Sequence, residues 1–404
     1  MSLPTRPSRR RWLQGIGTGS LAPLFPWSAA AAEPKQTVYQ KLSIRPVINF
    51  RGAYTTVGAS KQSPELFQAQ AEAASEYVVL EELQEAIGER LAKLTGTEGA
   101  MVSTGAAGAI AIGTYACIAG EDPKNIKRLP NLDGLKNEVI IQKIHRISYD
   151  HAVRGSGAKI VEIETREELE QAINPRTAMV YFLPGNTDDR TWGDDWVSLE
   201  NTLKITKPAG VPVLADCANV LPPWKNIPEI ARSGIDLLAI SGGKHLSGPQ
   251  CSGILAGRKD LLRAAWLNSN PHSDSNGRPM KVGREEMVAL WLACEKYAKL
   301  DFGKLDKQCE RQTRDLARLL EKIPGIKTEK PPFERMRRVH RLIATWDEAK
   351  LGLTSREAEQ QLINGEPRVA VTRPRSGGLQ FTVFLNEPGD EEIAAKRMRQ
   401  VFGV

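Results

Sequence analysis

The chain has 404 residues, of which 41% are hydrophobic and 25% charged, a composition that predicts a folded protein of two domains rather than a disordered one. The formal net charge of +7 is modest, and the arginines near the N-terminus supply part of it. No basic stripe is interleaved with aromatic residues, and no run of about 18 apolar residues occurs. The sequence therefore predicts neither nucleic-acid binding nor stable insertion into a membrane.

Residues 1–32 have the features of a targeting segment. Arg9 and Arg10 stand together before an apolar pair, a weakly hydrophobic stretch follows, and the segment ends in small residues at Ala32. This pattern resembles a twin-arginine signal peptide and predicts a mature protein in the periplasm. The alternative is a basic, disordered N-terminus without a targeting role.

The five cysteines are scattered and include no Cys-x-x-Cys pair. Their odd number prevents complete internal pairing, so the sequence predicts neither a disulfide scaffold nor a metal site. This usage fits a protein that folds in a reducing cytosol before export.

The first predicted elements of the mature chain are helical. An amphipathic region covers residues 38–96, where Ser63 and Pro64 indicate the start of one helix and a break is expected at 77–80. Residues 104–119 are small and apolar, which predicts a helix that opens with a glycine-rich turn and packs against a sheet.

Six apolar runs of strand length follow, and helical stretches separate them. The runs are 138–142, 158–163, 178–184, 211–216, 236–241 and 253–257. Near-continuous apolar strands of this kind predict an α/β fold with a mainly parallel sheet covered on both faces. We expect an N-terminal arm and a large domain at 33–290. Because a long helix and shorter strands follow, we expect a smaller α+β domain at 291–404.

The strongest local signal is the segment AISGGKHLSGPQCSG at residues 239–253. An apolar strand delivers Lys244 into a turn of glycines and serines, which presents the amine to a ligand. The alternative is a surface lysine in a glycine-rich loop. A phosphate-binding P-loop fits poorly, because Leu238 stands where its first glycine is required and His245 replaces its serine or threonine.

Asp216 ends another apolar run, VPVLAD. A carboxylate at the end of a buried strand loses hydration unless a cation or hydrogen-bond donors meet it. The protonated nitrogen of a pyridine ring is such a partner, and it makes the ring an electron sink for negative charge at a substrate's Cα. The alternative is an aspartate that caps a helix.

The segment VSTGAAGA predicts a helix N-terminus whose free backbone amides bind phosphate. The candidates are Ser103, Thr104, Gly105 and Ala106, with Ser241 as a further hydroxyl donor. The alternative is close packing of glycines against the sheet. His145 follows a predicted strand and is expected to stack on a cofactor ring, with His151 as the competing residue.

These signals follow one another in the chain order used by the fold type I pyridoxal-phosphate enzymes. The segments INFRGAYTTVGAS, ELQEAIGERLAKLTGTEGAMVSTGAAGAI, HRISYDHAVRGSGAKIVEI, ISGGKHLSGPQCSGILAGR and GRPMKVGREEM resemble the SelA-like branch, which contains bacterial selenocysteine synthase and D-glucosaminate-6-phosphate ammonia-lyase. The resemblance implies an aspartate aminotransferase-like fold, pyridoxal 5'-phosphate as cofactor and a homodimer. It also implies that Lys244 is the Schiff-base lysine and that Asp216 is the partner of the ring nitrogen.

By the same resemblance Arg278, Lys281 and Arg284 form a basic cluster for a substrate or cofactor anion, in this subunit's site or the neighbour's. The alternative is a solvated basic turn. Residues 121–137 look like an inserted loop that would remodel the site entrance, and a periplasmic protein would not meet tRNA. The substrate of selenocysteine synthase is therefore not expected here.

The expected reaction begins when the amine of Lys244 abstracts the Cα proton of a small amino acid. Acidic and phosphorylated amino acids are among the expected substrates. Loss of a β-substituent with release of ammonia would make the enzyme a lyase. Transamination and racemisation use the same groups and stay open as alternatives. A catalytically silent exported binding protein is a further alternative, which the presence of both Lys244 and Asp216 disfavours.

Overall fold

The computed structural model describes residues 36–184, 197–334 and 336–404. The predicted signal segment at 1–32 lies outside the described residues. Residues 36–46 belong to a first compact unit, Met1–Pro46, in which helix α1 (Val38–Lys41) starts with a capping box. There the Thr37 amide donates to the side chain of Gln40 at 2.8 Å, and the Gln40 amide donates to the Thr37 hydroxyl at 3.2 Å.

The second compact unit, Val47–Val404, contains all the other described elements. Its strands are β1 (Val47–Asn49), β2 (Gly99–Ser103), β3 (Glu138–Gln142), β4 (Lys159–Ile163), β5 (Thr177–Phe182), β6 (Val213–Asp216), β7 (Leu237–Ser241), β8 (Gly253–Gly257), β9 (Lys327–Glu329), β10 (Arg341–Thr345), β11 (Arg368–Ala370) and β12 (Leu379–Thr382). Its helices are α2 (Pro64–Ala74), α3 (Leu80–Thr95), α4 (Gly105–Ala119), α5 (Pro123–Arg128), α6 (His151–Arg154), α7 (Arg166–Ala172), α8 (Leu199–Thr206), α9 (Asn226–Arg232), α10 (Lys259–Leu267), α11 (Arg284–Ala298), α12 (Phe302–Leu320), α13 (Glu348–Leu351), α14 (Ser355–Asn364) and α15 (Asp390–Val401).

A seven-stranded sheet forms the centre of this unit, in the order β2-β8-β7-β6-β5-β3-β4. Strands β3 to β7 run parallel to their neighbours, whereas β8 pairs antiparallel with both β7 and β2. Every residue of β3, β5 and β6 is buried, because one hydrophobic cluster covers each face of the sheet. The predicted mainly parallel α/β sheet is therefore confirmed.

The six apolar runs correspond to β3 to β8, and the helix break expected at 77–80 falls between α2 and α3. The long helix expected after residue 287 is instead two helices, α11 and α12. Asp301 separates them, because its side chain caps the start of α12 by accepting from the backbone amide of Lys304 at 3.0 Å. Strand β2, at the edge beside β8, was not predicted.

A third hydrophobic cluster lies among the C-terminal elements, where β12, β10 and β9 form an antiparallel sheet. Strand β1 pairs with β11, and Phe50 is fully buried with its ring 5.7 Å from that of Phe381. The segment at 47–50, within the range expected for the N-terminal arm and large domain, therefore packs with the C-terminal elements. The proposed domain boundary at residue 290 stays a prediction.

Among the described residues, no helix combines the length and apolarity that crossing a bilayer requires.

Candidate active site

A cavity of about 790 Å³ lies at the carboxyl edge of the main sheet, where the parallel strands end. Asp216 is the last residue of β6 and Ser241 the last residue of β7, and Asp216 is in register with Ala239 of β7. Lys244 follows β7 after two glycines. Asp216, Ser241 and Lys244 all line the cavity, so the fold brings these three predicted site residues together.

Two close contacts hold the turn that carries Lys244. A Cβ on Gly243 would lie 2.4 Å from the Cα of Gln250, so this position requires glycine. The carbonyl of Gly243 accepts a hydrogen bond from the hydroxyl of Ser60 at 2.8 Å. Burial lowers the pKa of Lys244, against the attraction of Asp216 and together with the repulsion of Arg337. The lysine is therefore not a solvated surface residue, and more of its amine is neutral than in water.

Asp216 is only 3% exposed. One carboxylate oxygen accepts from the hydroxyl of Tyr181 at 2.7 Å, and the other accepts from the backbone amide of Ala218 at 3.0 Å. Burial raises the pKa of Asp216, and the two hydrogen bonds offset this effect only in part. The helix-cap alternative is excluded, because the next helix, α9, begins ten residues later at Asn226.

Tyr181 is a site residue that the sequence analysis missed. It lies on β5 in register with Leu214, so its side chain and that of Asp216, two residues further along β6, share a face of the sheet. Burial and the Asp216 charge raise the pKa of Tyr181, which keeps its hydroxyl a donor. The available signal was a phenol within the apolar run AMVYFLP, since a buried tyrosine hydroxyl needs a partner.

Helix α4 begins at the cavity, as predicted for a phosphate cradle. Gly105 and Ala106, its first residues, line the cavity, and the first-turn amides have no acceptor within the helix. Gly105 has a φ of +65°, and a Cβ built on it would meet no atom within 4 Å. A Cβ on Gly253 of β8, in contrast, would lie 2.3 Å from the carbonyl carbon of Gly105. Strand β8 thus contacts the backbone of the turn closely, while the space beside the Cα of Gly105 is unfilled.

The structure does not bring Ser103 and Thr104 to this cavity. The hydroxyl of Ser103 donates to the carbonyl of Gly105 at 3.0 Å, so it is used within the turn itself. Both residues line a separate, much smaller cavity, which Asn270 and Met280 also line. Of the four residues predicted for the phosphate turn, Gly105 and Ala106 line the large cavity.

His145 does not line the cavity either. It is fully buried, its ring centre is 4.5 Å from that of Phe182, and burial lowers its pKa to about 3. The next residues, 146–149, do line the cavity, and the ring of Tyr149 is 6.0 Å from Nζ of Lys244. Tyr149 is thus the aromatic side chain beside the lysine, whereas His151 is exposed at the start of α6.

The predicted basic cluster does not line the cavity of its own chain. Arg278 donates to Asn270 at 3.0 Å, and Arg284 donates to the carbonyls of Ala73 and Ala74 at 2.9 Å each. Lys281 is exposed. These contacts give two of the three cations partners within this chain, and the predicted role of the cluster at the neighbouring subunit's site stays a prediction.

The inserted-looking loop at 121–137 does not reach the cavity either. It contains α5 and is held by ion pairs of Glu121 with Arg263 at 2.8 Å and of Lys127 with Asp274 at 2.9 Å. None of its residues lines the cavity, so remodelling of the entrance by this loop is not seen.

A set of arginines at the cavity was not predicted from the sequence. In the part of the chain that the structure describes, five arginines line the cavity: Arg51, Arg146, Arg337, Arg341 and Arg375. Arg337 donates twice to Glu334, at 2.8 and 2.7 Å, and Arg341 donates to the same carboxylate at 2.6 Å. Arg337 also donates to Asn219, which follows the Asp216 strand end. Although burial opposes ionisation, the two guanidinium groups hold the pKa of Glu334 below its usual value.

Comparison with known proteins agrees with this fold. The aminotransferase class-V family model matches residues 152–342. A 5'-C-glycyluridine monooxygenase-decarboxylase of Streptomyces is 31% identical over 90% of this chain and 91% of its own length. D-glucosaminate-6-phosphate ammonia lyase of Salmonella typhimurium is 29% identical over 90% of this chain and 97% of its own.

Solved structures give the same result. A structure of D-glucosaminate-6-phosphate ammonia-lyase superposes with a TM-score of 0.79 at 27% identity, covering 92% of this chain and 99% of that chain. Serine palmitoyltransferase of Sphingomonas wittichii, at 14% identity and a TM-score of 0.56, shares the fold.

The chain has the fold and site of a pyridoxal-phosphate enzyme of fold type I. A lysine and an aspartate at strand ends and a helix N-terminus meet at one cavity of a mainly parallel sheet. The chain belongs to the SelA-like family of these enzymes. It is a pyridoxal-phosphate-dependent lyase that acts at the Cα of an amino-acid substrate. The expected fold, cofactor and reaction class are confirmed.

The residues present fit pyridoxal phosphate. Asp216 is a buried carboxylate with a raised pKa, which a protonated ring nitrogen would stabilise in its ionised form. The open space above Gly105 at the start of a 15-residue helix suits a phosphate group.

Proposed function

We propose that this enzyme removes a β-substituent from a small anionic amino acid and releases ammonia. The observation that carries the proposal is the meeting of Lys244 and Asp216 in one cavity that several arginines also line. When bound, pyridoxal phosphate supplies an electron sink that stabilises negative charge at the substrate's Cα. The residues of the chain bind the cofactor, orient the substrate and transfer the protons.

Lys244 is proposed to hold the cofactor covalently and then to serve as the base. Its Nζ takes the Cα proton, the leaving group departs from Cβ with its electron pair, and water later releases ammonia from the nitrogen-bearing carbon to give a keto acid. A base must be neutral to accept a proton, and burial moves the pKa of Lys244 in that direction.

Asp216 is proposed to hold the ring nitrogen protonated, while the first turn of α4 at Gly105 and Ala106 and the hydroxyl of Ser241 bind the phosphate. The hydrogen bonds from Tyr181 and Ala218 orient the carboxylate, and each of its oxygens retains a further acceptor site for the ring N–H.

The substrate is proposed to be acidic or phosphorylated. Among residues 36–184, 197–334 and 336–404, six cations and two carboxylates line the cavity, the latter being Asp216 and Glu334. Guanidinium groups bind carboxylate and phosphate in a bidentate manner, so such a cavity favours substrates with extra negative charge. The relative that is named a D-glucosaminate-6-phosphate ammonia lyase supports this substrate class.

We further propose that the protein is a homodimer and that Lys281 serves the neighbouring subunit. Lys281 has no hydrogen-bond or ion-pair partner in residues 36–184, 197–334 and 336–404, and it does not line its own cavity. Light scattering of the purified protein tests the dimer, and an active monomer would contradict it.

The reaction is tested by incubating the holoenzyme with D- and L-amino acids, including acidic and phosphorylated ones. A lyase releases ammonia and keto acid in equal amounts without an added keto acid. Keto acid that forms only when an acceptor is present indicates a transaminase, and inversion at Cα indicates a racemase. Lys244→Ala is the control and should be inactive in every assay.

The assignment of Lys244 is tested separately by borohydride reduction of the holoenzyme followed by peptide mapping. We expect the pyridoxyl group on Lys244, and a label on any other lysine would overturn the assignment.

A further inference from the structure

His245 is an imidazole at the cavity to which the proposed reaction gives no role. It follows Lys244 directly in the chain and lines the cavity, although the residue is only 5% exposed. Its ring packs edge to face against the ring of Phe384, with the two ring centres 5.0 Å apart. Phe384 belongs to the C-terminal hydrophobic cluster, so the imidazole is held between the turn of Lys244 and the C-terminal elements.

The two ring nitrogens of His245 have no hydrogen-bond partner in residues 36–184, 197–334 and 336–404. Nδ1 is fully buried, whereas Nε2 is not. Because the residue is otherwise enclosed and lines the cavity, Nε2 is the nitrogen that meets the cavity. Polar atoms in protein interiors are normally paired, so an unpaired imidazole at a cavity indicates that a water or ligand completes its hydrogen bonds.

Two other histidines show the contrast. Nδ1 of His272 lies 3.2 Å from the carbonyl oxygen of Ser269, and Nε2 of His340 lies 2.9 Å from the carboxylate of Asp306. Neither His272 nor His340 lines the cavity. These two imidazoles are therefore used within the fold, whereas the imidazole of His245 is left for chemistry in the cavity.

The surroundings of His245 keep its ring neutral. Burial and the positive charges of Arg337, Lys244 and Arg341 lower the pKa of His245 well below 6.5. A neutral imidazole accepts a proton as a base. Once protonated it is a stronger acid than imidazolium in water, because burial and the same cations disfavour the added charge. Such a group takes up a proton and returns it within one reaction.

Three other acid–base groups at the cavity already have tasks. In the proposed reaction Lys244 takes the Cα proton and Asp216 faces the ring nitrogen. Glu334 accepts hydrogen bonds from Arg337 and Arg341, which hold it as a carboxylate. The release of ammonia requires a further base, because a water molecule that adds to a C=N carbon must lose a proton.

We propose that His245 catalyses the release of ammonia inside the cavity by passing a proton from the attacking water to the departing nitrogen. The inference rests on the proposed function, because the β-elimination supplies the imino acid that is hydrolysed. It adds a second activity to the site, since the imino acid would otherwise be hydrolysed in bulk water.

The atoms of this step balance. The water oxygen bonds to the carbon of the protonated imine, and Nε2 of His245 takes one water proton. Nε2 then gives this proton to the nitrogen, and the C–N bond breaks with its electron pair on the nitrogen. The remaining hydroxyl proton passes to the ammonia, so the products are a keto acid and ammonium. His245 is neutral again at the end.

The probe for this step is O-phosphoserine, given to the holoenzyme as the D and the L form. Its phosphate leaves Cβ as an anion, so phosphate release reports the elimination and ammonia release reports the hydrolysis. In the wild type we expect both products at the same rate. In His245→Phe, which retains an aromatic ring against Phe384, we expect ammonia to lag behind phosphate by about tenfold or more, because proton transfer in the cavity is lost.

His272→Phe is the matched control. His272 also packs edge to face against an aromatic ring, that of Trp266, but it does not line the cavity. We expect no delay between phosphate and ammonia in this variant. Retention of the cofactor's absorbance in both variants shows that they have folded.

His245→Ala gives a second readout, which a merely structural role would not change. Added imidazole should shorten the delay in this variant, because a free base then replaces the missing ring. Equal rates of phosphate and ammonia release in His245→Phe, or a delay that imidazole does not shorten in His245→Ala, would overturn the inference alone. If the wild type releases no phosphate from either form, the proposed β-elimination fails, and the inference fails with it.

Discussion

Burial acts on Lys244 and Asp216 in the same sense, since it disfavours the charged form of each. The amine therefore releases its proton more readily than in water, while the carboxylate needs donors to stay ionised. Tyr181 and Ala218 are those donors, which makes the phenol of Tyr181 part of the site although it does not line the cavity.

Tyr181→Phe is expected to lower kcat/KM about tenfold while the cofactor stays bound, because a hydrogen bond to a charged group is lost. That bond lowers the pKa of Asp216, so its loss raises this pKa and moves the acidic limb of the pH–rate profile to higher pH. Tyr297→Phe is the control, since the buried Tyr297 hydroxyl has no hydrogen-bond partner among the described residues. An unchanged profile in Tyr181→Phe would show that Asp216 does not depend on this bond.

His145 leads to a prediction about acid stability. Burial lowers its pKa from 6.5 to about 3, so the unfolded chain binds a proton at this residue before the folded protein does. Above pH 6.5 His145 is neutral in both states and does not lower the free energy of unfolding. As the pH falls from 6.5 towards 3, the free energy of unfolding decreases by about 1.4 kcal/mol per pH unit because of this residue. In His145→Phe we expect the slope of unfolding free energy against pH, from urea titrations of the apoprotein, to be smaller by that amount.

The same variant tests the expected stacking of His145 on the cofactor. Because the residue does not line the cavity, His145→Phe should leave the absorbance of the bound cofactor unchanged. A shifted band would return His145 to the role that we predicted from the sequence.

At the scale of elements, the start of α4 depends on the strand beneath it. Gly253 is in register with Ser103 on one side and with Ser241 on the other, so β8 lies between two strand ends of the site. Its missing side chain lets the turn at Gly105 approach the sheet, because any Cβ there would overlap the Gly105 backbone.

Gly253→Ala should therefore displace the first turn of α4 and weaken pyridoxal-phosphate binding by roughly tenfold or more, since phosphate contacts depend on the position of backbone amides. Titration of the apoprotein by absorbance measures the affinity. Gly303→Ala, within α12, is the matched control and should be neutral or stabilising by up to about 1 kcal/mol. Wild-type affinity in Gly253→Ala would mean that the turn is not a phosphate site.

At the scale of the whole molecule, we propose that the protein reaches the periplasm folded and loaded with its cofactor. Arg9 and Arg10, the weak apolar segment and the small residues ending at Ala32 support this proposal. An unfolded chain has no cofactor site to carry across the membrane, so cofactor loading and export as a folded protein belong together.

Replacement of Arg9 and Arg10 by lysine should leave the protein in the cytosol while its activity persists in extracts. Fractionation and N-terminal sequencing check the result. If the variant were still exported and trimmed near residue 33, the general secretory route would be the better explanation, and an untrimmed cytosolic wild-type protein would exclude a signal peptide.

The sequence by itself was enough to predict the strands of the central sheet and the two residues at their ends. Apolar runs and glycine-rich turns are local features, which residues adjacent in the chain form. It pointed to Lys244 and Asp216 for that reason. Only the tertiary structure decided that Tyr181 reaches Asp216, that Tyr149 rather than His145 stands beside Lys244, and that Arg375 enters the cavity. These contacts join segments that are far apart in the chain. They depend on how the elements pack across the sheet edge, and a local sequence pattern does not predict that packing.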